Sequence, residues 1–418
     1  MRGALRLGLV AGLVAAPAGL AAQTEDEVTI GFHAVPALIQ VDPVPGGGEL
    51  SELRILHPVA MLGATSLDGY LTAMAMLNFE GATIPDGELS PGSWGEGFVD
   101  RRHPHTYAHE FMVSAWQPLR AEGAVALSFS LGKGFVPFGS DDPMTRPILR
   151  YPVNHHLSQI LERAVGIAAL RIGPAVLEGS LFNGDEPASP EDWPRVKRFG
   201  DSWSGRLTLW PAAGVEVQGS YARVASPEHR EGAGLDSRKW SASARLERSS
   251  DAGQLYAMAE WARTSEGAFD FSTVLAEAAA RRGSFGAAYR FERTERPEEQ
   301  RLADPFRSAR PHHDNSTLGT TRWTIHSVSL SLTAVDDWPL LGIEPFVEGS
   351  LAQVTSVDAG VFDPVAFYGD DQIWSLTLGV RLAWGQRLHR MGRYGVATGP
   401  SPSFEHDAPQ RAPAMHQH

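Results

Sequence analysis

The segment that decides the fold reads Trp374-Ser375-Leu376-Thr377-Leu378-Gly379-Val380-Arg381-Leu382-Ala383-Trp384. Every second residue is apolar, and the residues between them are small, polar or charged. Because the side chains of a β-strand point alternately to opposite sides, the segment is predicted to form a strand with one apolar and one polar face. The first face suits contact with lipid and the second suits contact with water.

The same alternation recurs over most of the chain and predicts fifteen strands between residues 55 and 384. The connections alternate in length. Residues 173–174 and 281–283 form short turns, whereas residues 81–106 and 133–162 form long loops. Short turns at one end and long loops at the other are typical of outer-membrane barrels. We therefore predict an all-β fold, a transmembrane antiparallel up-and-down β-barrel.

The strand count follows from the side on which the chain starts. An exported chain begins on the side of the short turns, so one further strand has to precede residue 55. Val28-Thr29-Ile30-Gly31-Phe32-His33-Ala34-Val35 is the candidate, although the following Pro36 lacks the N–H that a central strand donates. The prediction is sixteen strands, with fourteen as the alternative. A soluble β-sandwich or propeller is the competing architecture, and it requires polar outward faces.

Composition narrows the class of protein further. The chain has 418 residues, 43% of them hydrophobic and 20% charged, with a net charge of −13 and no cysteine. The acidic balance argues against nucleic acid as a partner, and the lack of cysteine excludes disulfides and thiol catalysis. Residues 1–22 have the pattern of a signal peptide, with an N-terminal anchor helix as the alternative. We predict the barrel over residues 23–384 and a disordered His- and Pro-rich extension over residues 385–418.

Two resemblances point to the outer membrane of a Gram-negative bacterium. Four residues of the last strand resemble the C-terminal signal that directs outer-membrane barrels to their assembly machinery, although here the chain continues beyond it; they are Thr377, Gly379, Leu382 and Trp384. Residues 132–139, GKGFVPFG, and 177–184, LEGSLFNG, resemble the phosphate-selective porins O and P. This second resemblance implies a passive channel in which a loop folds into the lumen. Phosphate selectivity does not carry over, because the chain has three lysines and an acidic balance.

The loop that the resemblance places in the lumen would be Ser140 to Arg163. An inward loop with both signs of charge would narrow the pore and impose a transverse field on solutes. An ordinary solvated outer loop is the alternative. The candidate constriction residues are Asp141, Asp142, Arg146, Arg150, His155, His156 and Arg163.

Charges on the polar face of the strands are expected to line the lumen, because a basic residue facing lipid at mid-bilayer costs about 2–4 kcal/mol. These residues are Glu178, Glu216, Arg245, Glu247, Glu260, Glu277, Arg290, Glu292, Glu344, Glu348 and Arg381. Acidic residues outnumber basic ones by eight to three in this set. A weak preference for cations follows, and salt would reduce it.

Histidine spacing offers a second hypothesis. His103, His105 and His109 lie even numbers of residues apart, so they share one face of an extended segment. Three imidazoles could bind Zn²⁺ or Cu²⁺, and a polar junction between loop and strand is the alternative. Met415-His416-Gln417-His418 could bind copper or form a disordered end.

We predict a porin-like outer-membrane channel for passive diffusion of small hydrophilic solutes or ions, with no cofactor and no enzymatic activity. The sequence contains neither a GxSxG motif nor a phosphate-binding Walker motif. The expected partners are outer-membrane lipid, the barrel assembly machinery and the solutes. Two alternative functions stay open, a metal-handling outer-membrane protein that uses the histidine clusters and an outer-membrane hydrolase. The oligomeric state is open between monomer and homotrimer.

Overall fold

The computed structural model describes residues 27–44, 48–67, 69–83, 105–120, 124–140, 143–153, 155–187, 190–225, 234–267, 269–299, 317–337, 341–357, 362–385 and 388–398. The strands are β1 (Glu27–Asp42), β2 (Leu50–Ser66), β3 (Leu71–Asn78), β4 (Ala108–Pro118), β5 (Val125–Gly134), β6 (Arg163–Ile172), β7 (Ala175–Phe182), β8 (Ser202–Ala212), β9 (Val215–Val224), β10 (Ser237–Ser250), β11 (Gly253–Glu266), β12 (Phe269–Arg282), β13 (Phe285–Glu299), β14 (Thr317–Leu332), β15 (Val335–Asp337), β16 (Leu341–Ser356) and β17 (Gln372–Gly385). Two short helices, α1 (Glu80–Thr83) and α2 (Pro364–Tyr368), lie in connections. No helix in the described part of the chain is long and apolar enough to cross a membrane.

The strands close into one antiparallel barrel. β1 pairs with β2 on one side and with β17 on the other, so the first and last strands are joined. β15 is a strand of 3 residues in the connection between β14 and β16, which also pair directly with each other. The other sixteen strands form the wall. The predicted sixteen-strand barrel is therefore confirmed, and its closure leaves no free sheet edge.

β1 is the additional first strand that was predicted before residue 55, and it includes Pro36. Its pairing with β2 shifts register between His33 and Val35. Its pairing with β17 passes from Ala34 directly to Ala37. Because of this irregularity, Pro36 lies where the hydrogen bonds between the strands do not require the N–H that proline lacks.

The outer face of the wall is apolar and the inner face is polar. On β17, Trp374 and Leu376 are each 38% exposed, whereas Ser375 and Thr377 are each 8% exposed. Glutamate, arginine, serine and threonine side chains of the other strands are buried in the interior. This arrangement is the inverse of a soluble sandwich or propeller, and it matches the two faces predicted from the alternation.

The two ends of the barrel differ. The turn end carries tight connections such as Gly173–Pro174, together with the start of β1 and the end of β17. The loop end carries the long connections, with one exception, since only residues 267–268 join β11 to β12. The wall is lower from β3 to β9, because these strands have 8 to 11 residues whereas the other wall strands have 14 to 17.

Two segments lie inside the barrel. The inner loop, residues 135–162, connects β5 to β6 and enters from the loop end. The inner strap, residues 388–398, follows β17 and enters from the turn end. The strap differs from the disordered extension predicted for the tail, since Met391 and Tyr394 are each only 2% exposed. Apolar and charged side chains of the strap find partners on the inner wall, which a composition-based prediction of disorder does not consider. Residues 1–22 and 399–418 lie outside the described residues.

Candidate pore and its constriction

The inner loop is attached to the wall largely through its own main chain. The amides of Leu149 and Arg150 donate to Glu348 of β16 at 2.9 and 3.1 Å. The amide of Val153 donates to Glu292 of β13 at 2.7 Å. Hydrogen bonds to a carboxylate are about twice as strong as neutral ones. The loop, which leaves the wall at β5, therefore crosses the lumen to β13 and β16.

Arg146 carries a positive charge from the inner loop to two acidic wall residues. Its Nη2 lies 3.2 Å from Glu260 Oε2, and its Nε lies 4.0 Å from Glu277 Oε1. Ser158 Oγ donates to Glu260 at 2.5 Å. Glu277 in turn pairs with Arg290 Nε at 2.8 Å. Opposite charges of the inner loop and the wall are thus in direct contact here.

The candidate constriction residues are not all in one place. Arg146 and Arg150 lie buried within the inner loop. Arg163 lies where the loop rejoins the wall, with its Nη2 2.8 Å from Glu186 Oε1, and His156 Nδ1 lies 3.9 Å from the same oxygen. Asp141, Asp142 and the side chain of His155 lie outside the described part of the structure.

The eleven strand charges assigned to the lumen all lie on the inner face. Ten are buried, namely Glu178, Glu216, Arg245, Glu247, Glu260, Glu277, Arg290, Glu292, Glu344 and Glu348. The eleventh, Arg381, donates from Nη2 to the main-chain oxygen of Pro147 in the inner loop at 3.0 Å.

Sequence reasoning missed a set of basic residues on the same face. Arg206 of β8 alternates with Ser204 and Thr208, a signal that the pattern contained, and it donates twice to Glu178 at 2.6 and 2.8 Å. Arg281 of β12 pairs with Glu344. Three of the inward-facing ion pairs join residues directly opposite each other on adjacent strands, namely Glu178–Arg206, Glu277–Arg290 and Glu344–Arg381. Strand register, which the sequence alone did not give, decides which charges neutralise each other.

The inner strap is fastened to two wall carboxylates. Arg390 donates from Nη1 and Nη2 to the two oxygens of Glu216 at 2.9 and 2.8 Å, and Arg393 Nη2 donates to the same carboxylate at 2.7 Å. His389 Nε2 lies 2.7 Å from Glu110 Oε2. The hydroxyl of Tyr394 donates to the other oxygen of Glu110.

Tyr394 also connects the strap to the inner loop. Its hydroxyl accepts the amide N–H of Phe135 at 2.9 Å. The hydroxyl fits because residue 134 is glycine, since a Cβ there would lie 2.5 Å from it. A Cβ at Gly132 would lie 1.9 Å from the carbonyl oxygen of Phe111. Steric crowding thus explains why Gly132 and Gly134, in the motif that resembles the phosphate-selective porins, are glycines.

Two cavities lie at the turn end, near the strap and along β10 to β16. One has a volume of about 570 Å³ and is lined in part by Trp210, Glu216, Arg245, Glu247 and Arg390. The other has a volume of about 930 Å³ and is lined in part by Gln254, Arg281, Ser331 and Phe346. Arg390 of the strap therefore borders space that a solute can occupy.

His105 and His109 are each bonded to a buried glutamate. His105 Nδ1 lies 2.9 Å from Glu80 Oε2, and His109 Nδ1 lies 2.8 Å from Glu162 Oε1. Burial alone would raise the pKa of either glutamate, but the hydrogen bond and charge of the adjacent histidine outweigh it and hold the pKa of each at about 2. His103 lies outside the described residues. Within them, no group of three or more His, Cys, Asp or Glu side chains is placed to hold a metal ion, and the metal site stays a prediction.

The residues that resemble an assembly signal occupy both faces of β17. Thr377 points inward, whereas Trp384 is exposed on the outer face. Gly379 lies so close to the ring of Phe346 that a Cβ at this position would come within 2.6 Å of the ring. This packing explains the glycine locally, and the role of Thr377, Gly379, Leu382 and Trp384 in assembly stays a prediction.

Comparisons with known proteins bear on the fold. No protein-family profile and no curated protein sequence matches the chain. The anion-selective porin from Comamonas acidovorans is 11% identical in an alignment that covers 86% of this chain and 100% of that chain, with a TM-score of 0.50. In-vitro folded OmpT, an outer membrane protein of Vibrio cholerae, is 9% identical over 88% and 100% of the two chains, with a TM-score of 0.47. OpdK of Pseudomonas aeruginosa with vanillate is 11% identical over 86% and 99%, with a TM-score of 0.42. The similarity to the Comamonas porin shows that the chain has a porin-type barrel fold, and the resemblance to phosphate-selective porins stays a prediction.

Proposed function

We propose that the chain is an outer-membrane channel for the passive diffusion of small hydrophilic solutes or ions. The observation that carries the proposal is a closed barrel with an apolar outer face, a charged inner face and a loop across its lumen. Such a wall is stable with lipid outside and with water or polar protein inside. The fold similarity to an anion-selective porin supports the same function.

Transport in this channel breaks no bond. A solute moves down its concentration gradient and exchanges part of its hydration for the charges that line the lumen. Arg146 of the inner loop is paired with Glu260 of the wall, and the main chain at Arg150 is bound to Glu348. The charges on the loop and the wall orient dipolar solutes that pass beside them, and the loop sets the size limit.

The charge preference is proposed to be weak and toward cations. The predicted wall residues are mainly acidic, but the inner segments supply Arg146, Arg150, Arg390 and Arg393, and β8 supplies Arg206. Most of these basic groups pair with or face a wall glutamate. The preference therefore depends on the few carboxylate charges that stay uncompensated.

No specific observation favours the hydrolase or metal-handling alternatives. Ser158 donates to Glu260 rather than to a histidine, so it does not have the general base of a serine hydrolase. The two described histidines of the predicted metal cluster already bond glutamates.

The proposal also includes three steps before transport. The chain is exported through residues 1–22, inserted by the barrel assembly machinery and assembled as a homotrimer. The low wall supports the trimer. A strand of 8 residues tilted by about 40° covers only about 20 Å of height, less than the apolar band of about 25 Å. A neighbouring copy would cover the part of the membrane that β3 and β7 leave short. Cross-linking in outer-membrane fractions tests both location and copy number, and a monomer in the inner-membrane fraction would contradict both.

Conductance in planar lipid bilayers tests the channel itself. Refolded protein is expected to give ohmic steps with a small excess of K⁺ over Cl⁻ permeability. Correctly folded barrels, with or without the inner strap, that give no steps would rule out the channel.

A further inference from the structure

The inner strap is placed where it can control the channel. It touches the inner wall from β2 to β9, where part of the inner loop also packs, whereas the wall from β10 to β17 is contacted by the inner loop. We propose that the strap is a second constriction, entering from the turn end, that limits conductance and neutralises the acidic wall on its side. This inference rests on the proposed channel function.

Apolar packing shows that the strap fills lumen space. Leu388 and Met391 belong to a buried cluster with Val59, Met61 and Phe135. At the other end of the strap, Val396 and Ala397 pack against Ala126, Ala169 and Val176 of β5, β6 and β7. Volume occupied by these side chains is closed to a solute, so the strap narrows the passage along half of the wall.

Polar contacts place positive charge on the same half. Three buried carboxylates of the wall strands lie there, Glu110 on β4, Glu178 on β7 and Glu216 on β9. Arg206 pairs with Glu178, whereas Glu216 takes both of its arginine partners, Arg390 and Arg393, from the strap. Without the strap, the charge of Glu216 faces the cavity of about 570 Å³ that it lines. A passing ion would then meet a negative mouth at the turn end.

The strap can be removed without opening the wall. β17 ends at Gly385 and is already hydrogen-bonded to β16 and to β1 along its length. Residues 388–398 of the strap contribute no strand pairing. A chain that ends at Gly385 therefore keeps every strand of the barrel.

The test compares three chains in planar bilayers: the full chain, a chain that ends at Gly385 and a matched control that ends at Thr398. The control lacks residues 399–418, which the chain that ends at Gly385 also lacks, but it keeps the strap. We expect the chain that ends at Gly385 to conduct at least about twofold better and to raise the K⁺/Cl⁻ permeability ratio by at least about twofold, because it loses Arg390 and Arg393 and leaves the charge of Glu216 uncompensated beside the cavity. The control should behave as the full chain does.

The results of this experiment distinguish a failure of the strap proposal from a failure of the channel proposal. A chain that ends at Gly385, folds, and conducts with the same size and selectivity as the control overturns the strap proposal and leaves the channel standing. Absence of conductance in all three folded chains overturns the channel proposal.

Point variants cover the case in which the shortened chain does not fold. Arg390→Ala/Arg393→Ala is expected to raise the K⁺/Cl⁻ permeability ratio, and Arg390→Lys/Arg393→Lys to restore most of it. Arg263→Ala, which removes an exposed arginine paired with Asp270, is the control and should leave the ratio unchanged. An equal ratio in the double alanine variant and this control contradicts the proposed charge role.

Discussion

The inner loop and the inner strap reach the same lumen from opposite ends and are held there by the same kind of partner. Wall glutamates accept hydrogen bonds from both segments, Glu260, Glu292 and Glu348 from the loop and Glu110 and Glu216 from the strap. The donors differ. The loop uses main-chain amides at Glu292 and Glu348, whereas the strap mainly uses its own side chains.

The difference determines how each segment can change. Main-chain donors are present whatever the side chain, so the loop's attachment to Glu348 tolerates substitution of Leu149. The strap depends on particular residues, above all Arg390 and Arg393. The loop is also joined at both ends to neighbouring strands, β5 and β6. The strap is therefore expected to detach first when a wall carboxylate is removed.

Removal of Glu216 should give the largest effect. In Glu216→Gln, Arg390 and Arg393 lose their carboxylate, and breaking such a buried pair costs about 3–5 kcal/mol. The strap should then leave the wall, and trypsin should cut after Arg390 and Arg393 at least about 100-fold faster, because cleavage follows the detached population. Glu295→Gln, which removes a partner of Arg322 at the loop end, is the control. Equal cleavage rates in the two variants would show that Glu216 does not hold the strap.

Acid should loosen the inner loop over a defined pH range. Glu162 lies at the end of the loop, and its pKa is lowered from 4.5 to about 2. A lowered pKa stabilises the folded state above the ordinary value, and this stabilisation is lost as the pH falls from 4.5 toward 2. The shift corresponds to about 3 kcal/mol at full strength. The free energy of unfolding in micelles should fall over this range in the native chain, and Glu162→Gln should remove that part of the fall. Identical pH profiles would contradict the assigned role of Glu162.

The barrel and the inner loop were predictable for different reasons. Alternation in segments such as residues 374–384 predicts strands because the period depends only on neighbouring residues. The inward loop came from a resemblance, and the structure begins it at residue 135 rather than at Ser140. The strap had no comparable signal. Arg390 lies 174 residues from Glu216 in the chain, and no local pattern indicates that two residues so far apart will meet. The same limit applied to Arg206, whose neutralising partner depends on strand register.

The loop should respond less than the strap to the loss of one wall carboxylate. In Glu348→Ala the amides of Leu149 and Arg150 exchange their carboxylate acceptor for water, at a net cost of about 1 kcal/mol. Glu292 and Glu260 still hold the loop, so trypsin cleavage after Arg150 should rise by no more than about tenfold. Cleavage after Arg390 should stay at the level of the native chain. A rise at Arg150 as large as the one expected at Arg393 in Glu216→Gln would erase the distinction between the two segments.

Tyr394 tests whether the two segments act together. Tyr394→Phe removes one hydroxyl that donates to Glu110 and accepts from Phe135 of the loop, at an expected cost of about 1–2 kcal/mol in strap attachment. A double-mutant cycle with Glu348→Ala, read from cleavage after Arg150 and Arg393, measures the coupling. An interaction energy above about 0.5 kcal/mol would mean that loosening the loop loosens the strap. Additive effects would mean that the loop and the strap narrow the pore independently, because Tyr394 then serves the strap alone.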